Sequence, residues 1–362
     1  MKRRRYLAPW GRAAVAARAL APGGSTKEVL AALEGKPALY HCVSRVVDRT
    51  FRFGPAEKEE FVRRMRALEA FCQVRVLTFC VMSNHFHVLV EVPERPEREP
   101  TDAELVAHLG TLYGAQRLAE IRWQLQHFRS QGNHAAAEAL RQRFQRRMWD
   151  LSVFLRELKQ GFSRWFNGQH ARRGYLWEDR FRSVLVEDGH AARVIAAYID
   201  LNPVRAGLAS APEDYRWNGY GEAVAGRQKA RDGLRQVMLE RELNRSNPSC
   251  AVGDRPDWGA VLAEYRRLME EDAARSTGRV PSVAGEPSAA KRAVRLSEAE
   301  MLRRRVRYFV DGLAIGTRGF VDGVFELTRE RFPAGRTSGA RRMGRADTRL
   351  RSMRALRVDT LG

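Results

Sequence analysis

Residues 74–92 read VRVLTFCVMSNHFHVLVEV, and this stretch decides the fold because it holds two apolar runs joined by turn-forming residues. The first run, VRVLTFCVM, and the second, HFHVLVEV, each have the length and apolar content of a β-strand. Ser83 and Asn84, which join them, are residue types that favour turns. The stretch therefore predicts two consecutive strands.

The segments on either side complete a larger unit. ALYHCVSRV at 38–46 predicts a strand, and PAEKEEFVRRMRALEAF at 55–71 predicts an amphipathic helix. A helix with an apolar stripe is predicted at 151–166. A strand follows within RRGYLWEDRFRSVLVE, and then a short helix, HAARVIAAYIDLN, which Pro203 ends. The order β-α-β-β-α-β with one extra helix predicts a ferredoxin-like α+β sandwich, onto which residues 212–220 wrap back.

Other segments differ from this unit in composition. Residues 1–37 carry eight Lys or Arg against two Glu, and predict either a poorly ordered tail or a basic arm along a phosphate backbone. The proline-rich PERPEREP starts an insertion at about 94–149, which predicts a polar helical pair with its turn at 127–135. With the insertion included, the main domain is predicted to span 38–220.

The C-terminal third is predicted to be helical and basic. A helical extension is expected over 221–274, a Ser-, Gly- and Pro-rich linker over 275–290, and a basic helical tail over 291–362. In the tail, Ser297 with Glu300 predicts the start of one helix, DGLAIG a turn, and Thr317 the cap of a second helix. This outline is that of a possible helix-turn-helix, or alternatively of a solvated helical hairpin.

Composition points to an anionic partner. The chain of 362 residues has 64 Lys plus Arg against 43 Asp plus Glu, a net charge of +21, and nearly all of the cations are Arg. Arginine suits bidentate phosphate contacts, although a G+C-rich genome would give the same bias. No apolar run approaches the roughly 20 residues that span a bilayer, which argues against channels and transporters. Four cysteines without CxxC spacing, and no signal peptide, predict a protein of the reducing cytoplasm.

Two histidines in the second strand are candidate metal ligands. His85 and His87 are two residues apart, so both imidazoles project from one side of the sheet, and Phe86, Val88 and Val90 project from the other. Such a pair can bind a metal ion. A chance HxH is common enough that the motif alone is weak.

A tyrosine and an asparagine follow on the last predicted helix. Tyr198 and Asn202 are four residues apart, so the phenol and the amide fall near the same face of the helix. The alternatives are a core aromatic beside Val194 and Ile195 for Tyr198, and a turn residue before Pro203 for Asn202.

Taken together, six motifs resemble a known family. In order and nearly in register, they resemble the REP-associated tyrosine transposases of the insertion sequence 200 type, which are HUH single-strand DNA nucleases. The resemblance covers about residues 38–220 apart from the insertion, and it rests on LYHCVSR, MSNHFHVLVE, LKQGFSRWFN, GYLWEDRFRSVLVE, YIDLNPVRAGL and EDYRW.

The resemblance implies both an activity and the residues that carry it. The implied activity is cutting and rejoining of single-stranded DNA beside a hairpin, with Mg²⁺ or Mn²⁺ and without a nucleotide cofactor. His85 and His87 would be metal ligands, Tyr198 the nucleophile and Asn202 the third ligand. Ser83 stands where the family often has proline.

The chemistry of these residue types agrees with that implication. Two imidazoles and an amide oxygen leave coordination positions open for phosphate oxygens, although nitrogen ligands favour softer ions. A free tyrosine has a pKa of about 10, so the phenol must lose its proton during attack. Attack would leave a 5′-phosphotyrosine and a free 3′-hydroxyl, and this linkage stores the energy needed for rejoining.

Several further residues are candidates for DNA contact. Arg45, Arg180 and Arg182 are predicted on a phosphate track, with surface solubility as the alternative. Trp177 is predicted to stack on a base, with an ordinary half-buried aromatic as the alternative. His41 is expected near the histidine pair as a hydrogen-bonded structural residue.

Two functions remain open at the level of sequence. The first is a metal-dependent transposase acting through Tyr198 on single-stranded hairpin DNA, as a monomer or a homodimer. The second is a domesticated protein that binds hairpin DNA or RNA without cutting it. The intact HxH and tyrosine favour the first function.

Overall fold

The computed structural model describes residues 37–50, 52–239, 257–275, 296–304, 306–344 and 346–353. These residues form an α+β protein around a seven-stranded mixed sheet, which confirms the predicted fold class at that level. The predicted N-terminal arm and the linker at 275–290 lie almost wholly outside the described residues. No helix in the described part of the chain is both long enough and apolar enough to cross a bilayer.

Four strands form one end of the sheet and hold the candidate site. They are β1 (Ala38–Arg45), β2 (Arg75–Val81), β3 (His85–Val92) and β4 (Arg182–Val186). Their order across the sheet is β2-β3-β1-β4, and each neighbouring pair is antiparallel. Strand β3 begins and ends where the sequence predicted. The strand predicted after residue 172 is shorter, because only residues 182–186 pair continuously with β1.

The helices follow in chain order. They are α1 (Pro55–Cys72), α2 (Asp102–Leu109), α3 (Ala115–Ser130), α4 (His134–Gln145), α5 (Leu151–Gln169), α6 (His190–Asp200), α7 (Asn202–Arg205), α8 (Gly219–Val224), α9 (Gln228–Met238), α10 (Trp258–Arg275), α11 (Glu298–Arg303), α12 (Tyr308–Asp311) and α13 (Arg318–Leu327).

Both sides of the sheet are covered by helices. On one side, α1 and α5 pack together over Phe86, Val88 and Val90 of β3. On the other side, α6 and α9 pack over Leu77 and Leu89. Alternate residues of each strand therefore enter two separate cores, as the period of two requires.

Helix α1 shows why these segments are helical. It begins with Pro55 after Gly54, whose backbone N–H donates to the Glu57 carboxylate at 2.8 Å. Phe61 and Met65, and the residues that follow them at intervals of about one helical turn, are buried against the sheet. The helix ends at Gln73, which adopts the left-handed conformation that stops helices.

The insertion consists of three helices and not the predicted pair. The expected turn is present between α3 and α4, where Gly132 has a φ of 67°. The sequence LGTLYG, at residues 109–114, breaks the first predicted helix and separates α2 from α3. The insertion packs at the end of α1, where the His108 ring bonds the Phe71 carbonyl at 2.8 Å.

Contrary to the prediction, Pro203 does not end the helical structure but lies within it. Helix α6 ends at Asp200, and Pro203 lies in the first turn of α7, which starts at Asn202. Proline fits there because the first turn of a helix needs no N–H donor from that residue. Residues 212–220 do wrap back as predicted, and the Tyr215 hydroxyl donates to the Val81 carbonyl at 2.8 Å.

The C-terminal segment, by which we mean the described residues between 296 and 353, extends the same sheet. It adds β6 (Ala314–Gly316), β7 (Arg341–Arg342) and β9 (Arg351–Met353), in the order β4-β6-β9-β7, while β5 (Leu296–Ser297) and β8 (Ala346–Asp347) form a separate pair. Strand β6 runs parallel to β4.

The turn predicted for DGLAIG is therefore wrong. This segment supplies β6, because the backbone N–H groups of Leu185 and Glu187 need acceptors along the edge of β4. They donate to Leu313 and Ile315, each at 2.9 Å. A strand thus stands where a helix-turn-helix requires a turn. The cap predicted at Thr317 is confirmed, since its hydroxyl accepts from the Phe320 N–H at 3.3 Å.

Candidate active site

The histidine pair projects from β3 toward the layer that contains α6. His87 is 2% exposed, and its neighbours in register are Val43 of β1 and Cys80 of β2. The His85 and His87 ring centroids are 5.1 Å apart, and the planes are at 74°. The alternation predicted from the sequence is thus present, with Phe86 in the opposite core.

Helix α6 brings the tyrosine to the same place. Most residues of this helix are buried, and it packs across β2, β3 and β4. The Tyr198 ring lies with its centroid 6.1 Å from that of His87 and 6.3 Å from that of His41. The structure therefore brings together a phenol and an imidazole pair that are more than a hundred residues apart in sequence.

Two further side chains enclose the tyrosine, which is only 2% exposed. The Arg205 guanidinium lies 4.1 Å from the Tyr198 ring centroid, and it donates to the carbonyls of Tyr198 at 2.6 Å and Leu302 at 2.5 Å. Phe309 of α12 contacts the ring edge-on at 4.9 Å. Burial lowers the pKa of Arg205, but a guanidinium stays protonated at neutral pH. A fixed cation therefore lies beside the phenol.

His41 links the pair to the C-terminal segment. Its Nδ1 lies 2.7 Å from the Phe309 carbonyl oxygen, and its Nε2 lies 2.9 Å from Nδ1 of His87. Burial lowers the pKa of His41 to about 4, and burial with the neighbouring histidines lowers the pKa of His87 well below its usual range. Both rings are therefore neutral at pH 7, and the prediction of a hydrogen-bonded histidine at position 41 is confirmed.

A metal ion fits the donor chemistry of the pair. The Nδ1 atoms of both rings are engaged, that of His87 with His41 and that of His85 with the Asn84 amide oxygen at 2.7 Å. Metal-binding histidines usually have such an outer partner on one nitrogen and bind the ion with the other. Rings whose centroids are 5.1 Å apart are close enough that one ion would bind a nitrogen of each.

A third metal ligand would have to come from outside the usual set of side chains. Among the described residues, no group of three His, Cys, Asp or Glu side chains could hold an ion. The Asn202 amide nitrogen donates to the carbonyls of Ile199 at 3.1 Å and Tyr198 at 3.3 Å, which leaves its oxygen as the atom with ligand chemistry. Asn202 as a ligand stays a prediction.

Beneath the tyrosine, a buried carboxyl group fastens α6. Asp200 accepts from the hydroxyls of Thr78 at 2.7 Å and Tyr265 at 2.6 Å, and from the Tyr220 N–H at 3.3 Å. Burial raises its pKa to about 7, against the hydrogen bonds, which lower it. Because these partners come from β2, α8 and α10, they fix the end of α6 that carries Tyr198.

The residues predicted to contact DNA differ in their exposure and in the groups around them. Arg180 is exposed, and Arg182 pairs with Asp311. The backbone carbonyl of Arg45 accepts from the Glu178 N–H at 2.9 Å. Trp177 packs on Phe53, Phe61, Phe86 and Phe162, and its indole N–H donates to the Lys159 carbonyl at 3.1 Å. These contacts agree with the alternative of a half-buried aromatic for Trp177, and both base stacking by Trp177 and phosphate contact by the arginines stay predictions.

Sequence reasoning missed Arg205 and Phe309. Arg205 stands inside the motif YIDLNPVRAGL, seven residues after Tyr198, but the helix that carries Tyr198 was predicted to end before it, so only its place in the motif pointed to it. Phe309 gave no such signal, because it follows Tyr198 by more than a hundred residues and carries no polar group.

Comparison with known proteins adds one partial similarity. The sequence matches no protein-family model and no curated protein. Among solved structures, the fold is similar to one described as a REP-associated tyrosine transposase bound to a REP hairpin. The two chains are 13% identical, the match covers 52% of this chain and 80% of the other, and the TM-score is 0.34. At these values the similarity assigns neither a family nor an activity, and the function rests on the site itself.

Proposed function

We propose that the protein is a metal-dependent tyrosine transposase or nuclease that cleaves and rejoins single-stranded DNA beside a hairpin. The observation that carries the proposal is the meeting of His85, His87 and Tyr198 in one site, with His87 and Tyr198 ring centroids 6.1 Å apart. A nucleophile and a position for an electrophile are what phosphodiester cleavage requires. The strand order β2-β3-β1-β4, with α1 and α5 on one side, supports a ferredoxin-like core as its scaffold.

Each residue has a distinct task in this proposal. Tyr198 loses its proton and attacks the scissile phosphorus, the bond from phosphorus to the 3′ oxygen breaks, and that oxygen takes up a proton. The products are a 5′-phosphotyrosine and a free 3′-hydroxyl. Arg205 supplies a fixed positive charge beside the phosphate being attacked. His85, His87 and Asn202 would hold Mg²⁺ or Mn²⁺, which when bound polarises the phosphate as a Lewis acid.

The burial of Tyr198 sets a condition on this activity. With the phenol 2% exposed and Phe309 against the ring, a phosphate reaches it only after the segment that carries Phe309 shifts. The same burial favours a second candidate function, a protein that binds hairpin DNA or RNA without cutting it. These two functions differ in whether a covalent adduct forms.

The test is a covalent capture assay with Mn²⁺. Hairpin oligonucleotides with single-stranded flanks, taken from repeated palindromes next to the gene, carry a fluorophore at either the 3′ or the 5′ end. We expect the 3′-labelled strand to migrate with the protein on a denaturing gel and the 5′-labelled strand to be released. Tyr198→Phe should abolish the adduct.

Tyr175→Phe is the matched control, because Tyr175 is 90% exposed and the variant keeps its ring. This variant should form the adduct as wild type does. An adduct that persists in Tyr198→Phe would show that another residue is the nucleophile. Tight binding by wild type without an adduct on any hairpin would favour the binding function.

A further inference from the structure

We propose that His41 is a positioning residue that holds His87 in the tautomer with its proton on Nδ1, so that Nε2 of His87 keeps the lone pair that binds an ion. The tautomer follows from the hydrogen bonds between two rings that burial keeps neutral. Only the use of Nε2 for a metal rests on the proposed function.

The assignment starts at the carbonyl of Phe309. A carbonyl oxygen only accepts hydrogen bonds, so the Nδ1 atom of His41, 2.7 Å away, must carry a proton. In a neutral ring the other nitrogen, Nε2, then has no proton and can only accept. The atom 2.9 Å from it, Nδ1 of His87, must therefore be the donor. One backbone carbonyl thus fixes the proton positions of two rings.

The reverse arrangement is disfavoured by the same distances. A proton on Nε2 of His41 would leave its Nδ1 lone pair facing the Phe309 oxygen at 2.7 Å, with no hydrogen between them. Water is not at hand to relieve that contact, because His41 and His87 are 0% and 2% exposed. Leaving both groups buried without a hydrogen bond disfavours this arrangement.

The consequence is that His87 presents a defined nitrogen. Its Nδ1 donates to His41, so its Nε2 keeps the lone pair. The Nδ1 of the neighbouring His85 lies beside the Asn84 amide oxygen at 2.7 Å, so the Nδ1 of each ring of the pair has a partner within the protein. Because the acceptor at the far end is Phe309, the C-terminal segment takes part in preparing the site.

The experiment reads the tautomers in the metal-free protein. Long-range ¹H–¹⁵N spectra of protein labelled with ¹⁵N-histidine distinguish a protonated from an unprotonated ring nitrogen, and the loss of one set of signals in His87→Gln assigns that residue. We expect wild-type His87 to have its proton on Nδ1. Finding it on Nε2 would overturn the proposal.

Two substitutions at position 41 test the cause. His41→Phe keeps a ring but offers no hydrogen bond, so we expect His87 to shift toward a mixture of tautomers or to the Nε2-protonated form. His41→Gln can donate to the Phe309 carbonyl with its amide nitrogen and accept from His87 with its oxygen, so it should restore the wild-type signals. An unchanged His87 in a folded His41→Phe would overturn the proposal, and so would a failure of His41→Gln to restore it.

A matched control and a binding measurement complete the test. His108→Phe also removes a histidine bonded to a backbone carbonyl, but one that contacts α1, and it should leave the His87 signals unchanged. In calorimetry with Mn²⁺, His41→Phe should bind about 10- to 100-fold more weakly and His41→Gln nearly normally. If wild type shows the expected tautomer but binds no Mn²⁺, the positioning role stands and the proposed metal-dependent function fails.

Discussion

At the scale of single residues, the site depends on buried polar groups that satisfy one another. Asp200 lies two residues from the proposed nucleophile and accepts three hydrogen bonds from three separate elements. Its position in the sequence, between Tyr198 and Asn202, gives no hint of this role. Its task is to hold α6 in place, and that task is testable through stability.

We expect Asp200→Ala to lower the free energy of unfolding by about 3 kcal/mol or more, because the Thr78 and Tyr265 hydroxyls would be left buried without an acceptor. Asp200→Asn should cost only about 1 kcal/mol, since its amide oxygen still accepts and resembles the neutral acid that burial favours. Urea unfolding at pH 7 measures both variants. Equal losses in the two would mean that the hydrogen bonds of Asp200 are unimportant.

The second prediction at the scale of single residues concerns a surface charge. Arg180 is exposed next to β4, so Arg180→Gln should weaken binding to single-stranded DNA and reduce the slope of log affinity against log salt concentration by about 1. Arg63→Gln is the matched control, because Arg63 is on α1, which packs on the opposite side of the sheet. Fluorescence anisotropy from low to moderate salt measures the slopes. A slope unchanged by Arg180→Gln would remove this residue from the proposed phosphate track.

At the scale of elements, helices lie on the sheet at distances that particular residues permit. Helix α9 comes so close to β2 that a Cβ atom added at Gly233 would lie 2.4 Å from the Leu77 carbonyl oxygen. The backbone cannot yield there without disturbing β2, whose neighbour β3 carries the histidine pair. Glycine at position 233 is therefore a packing requirement.

Accordingly, Gly233→Ala should destabilise the protein by about 1–3 kcal/mol, the usual cost of overpacking a core. Gly168→Ala is the control, because Gly168 is an exposed residue of α5 with nothing within 4 Å of an added Cβ. There alanine should stabilise by about 0.5–1 kcal/mol through its higher helix propensity. The midpoints of thermal unfolding should move in opposite directions, and a neutral Gly233→Ala would contradict the close approach.

At the scale of the whole molecule, the C-terminal segment completes the structure. It extends the sheet beyond β4 and places Phe309 against His41 and Tyr198. It also contacts the start of α6, where the His190 ring lies 3.0 Å from the Glu298 carboxylate. The hydrogen bond to Glu298 raises the pKa of His190, and Arg193 and Arg349 oppose it. Burial alone would raise the pKa of Glu298, but the bonds from His190 and Thr348 bring it below its usual value.

We expect this pair to make the docking of the C-terminal segment dependent on pH. Because the folded state raises the pKa of His190, its contribution is complete below the ordinary histidine pKa of about 6.5 and is lost as pH rises through the folded value. His190 is about half exposed, so we expect His190→Gln to cost about 1 kcal/mol or less at pH 6 and almost nothing at pH 8. Urea unfolding at both pH values measures this, and an equal loss at both would exclude a role for the charge.

The sequence by itself determined the α+β class, the strand β3 with its histidines on one side, and the helix that carries Tyr198. Those features depend on alternation and helical spacing, which are properties of short segments. The sequence did not reveal that DGLAIG contains the strand β6. That strand forms because the N–H groups along the open edge of β4 need acceptors, and not because of a pattern within the segment. Only the tertiary structure decided which groups surround Tyr198, since the Phe309 carbonyl meets His41 through contacts between segments 268 residues apart.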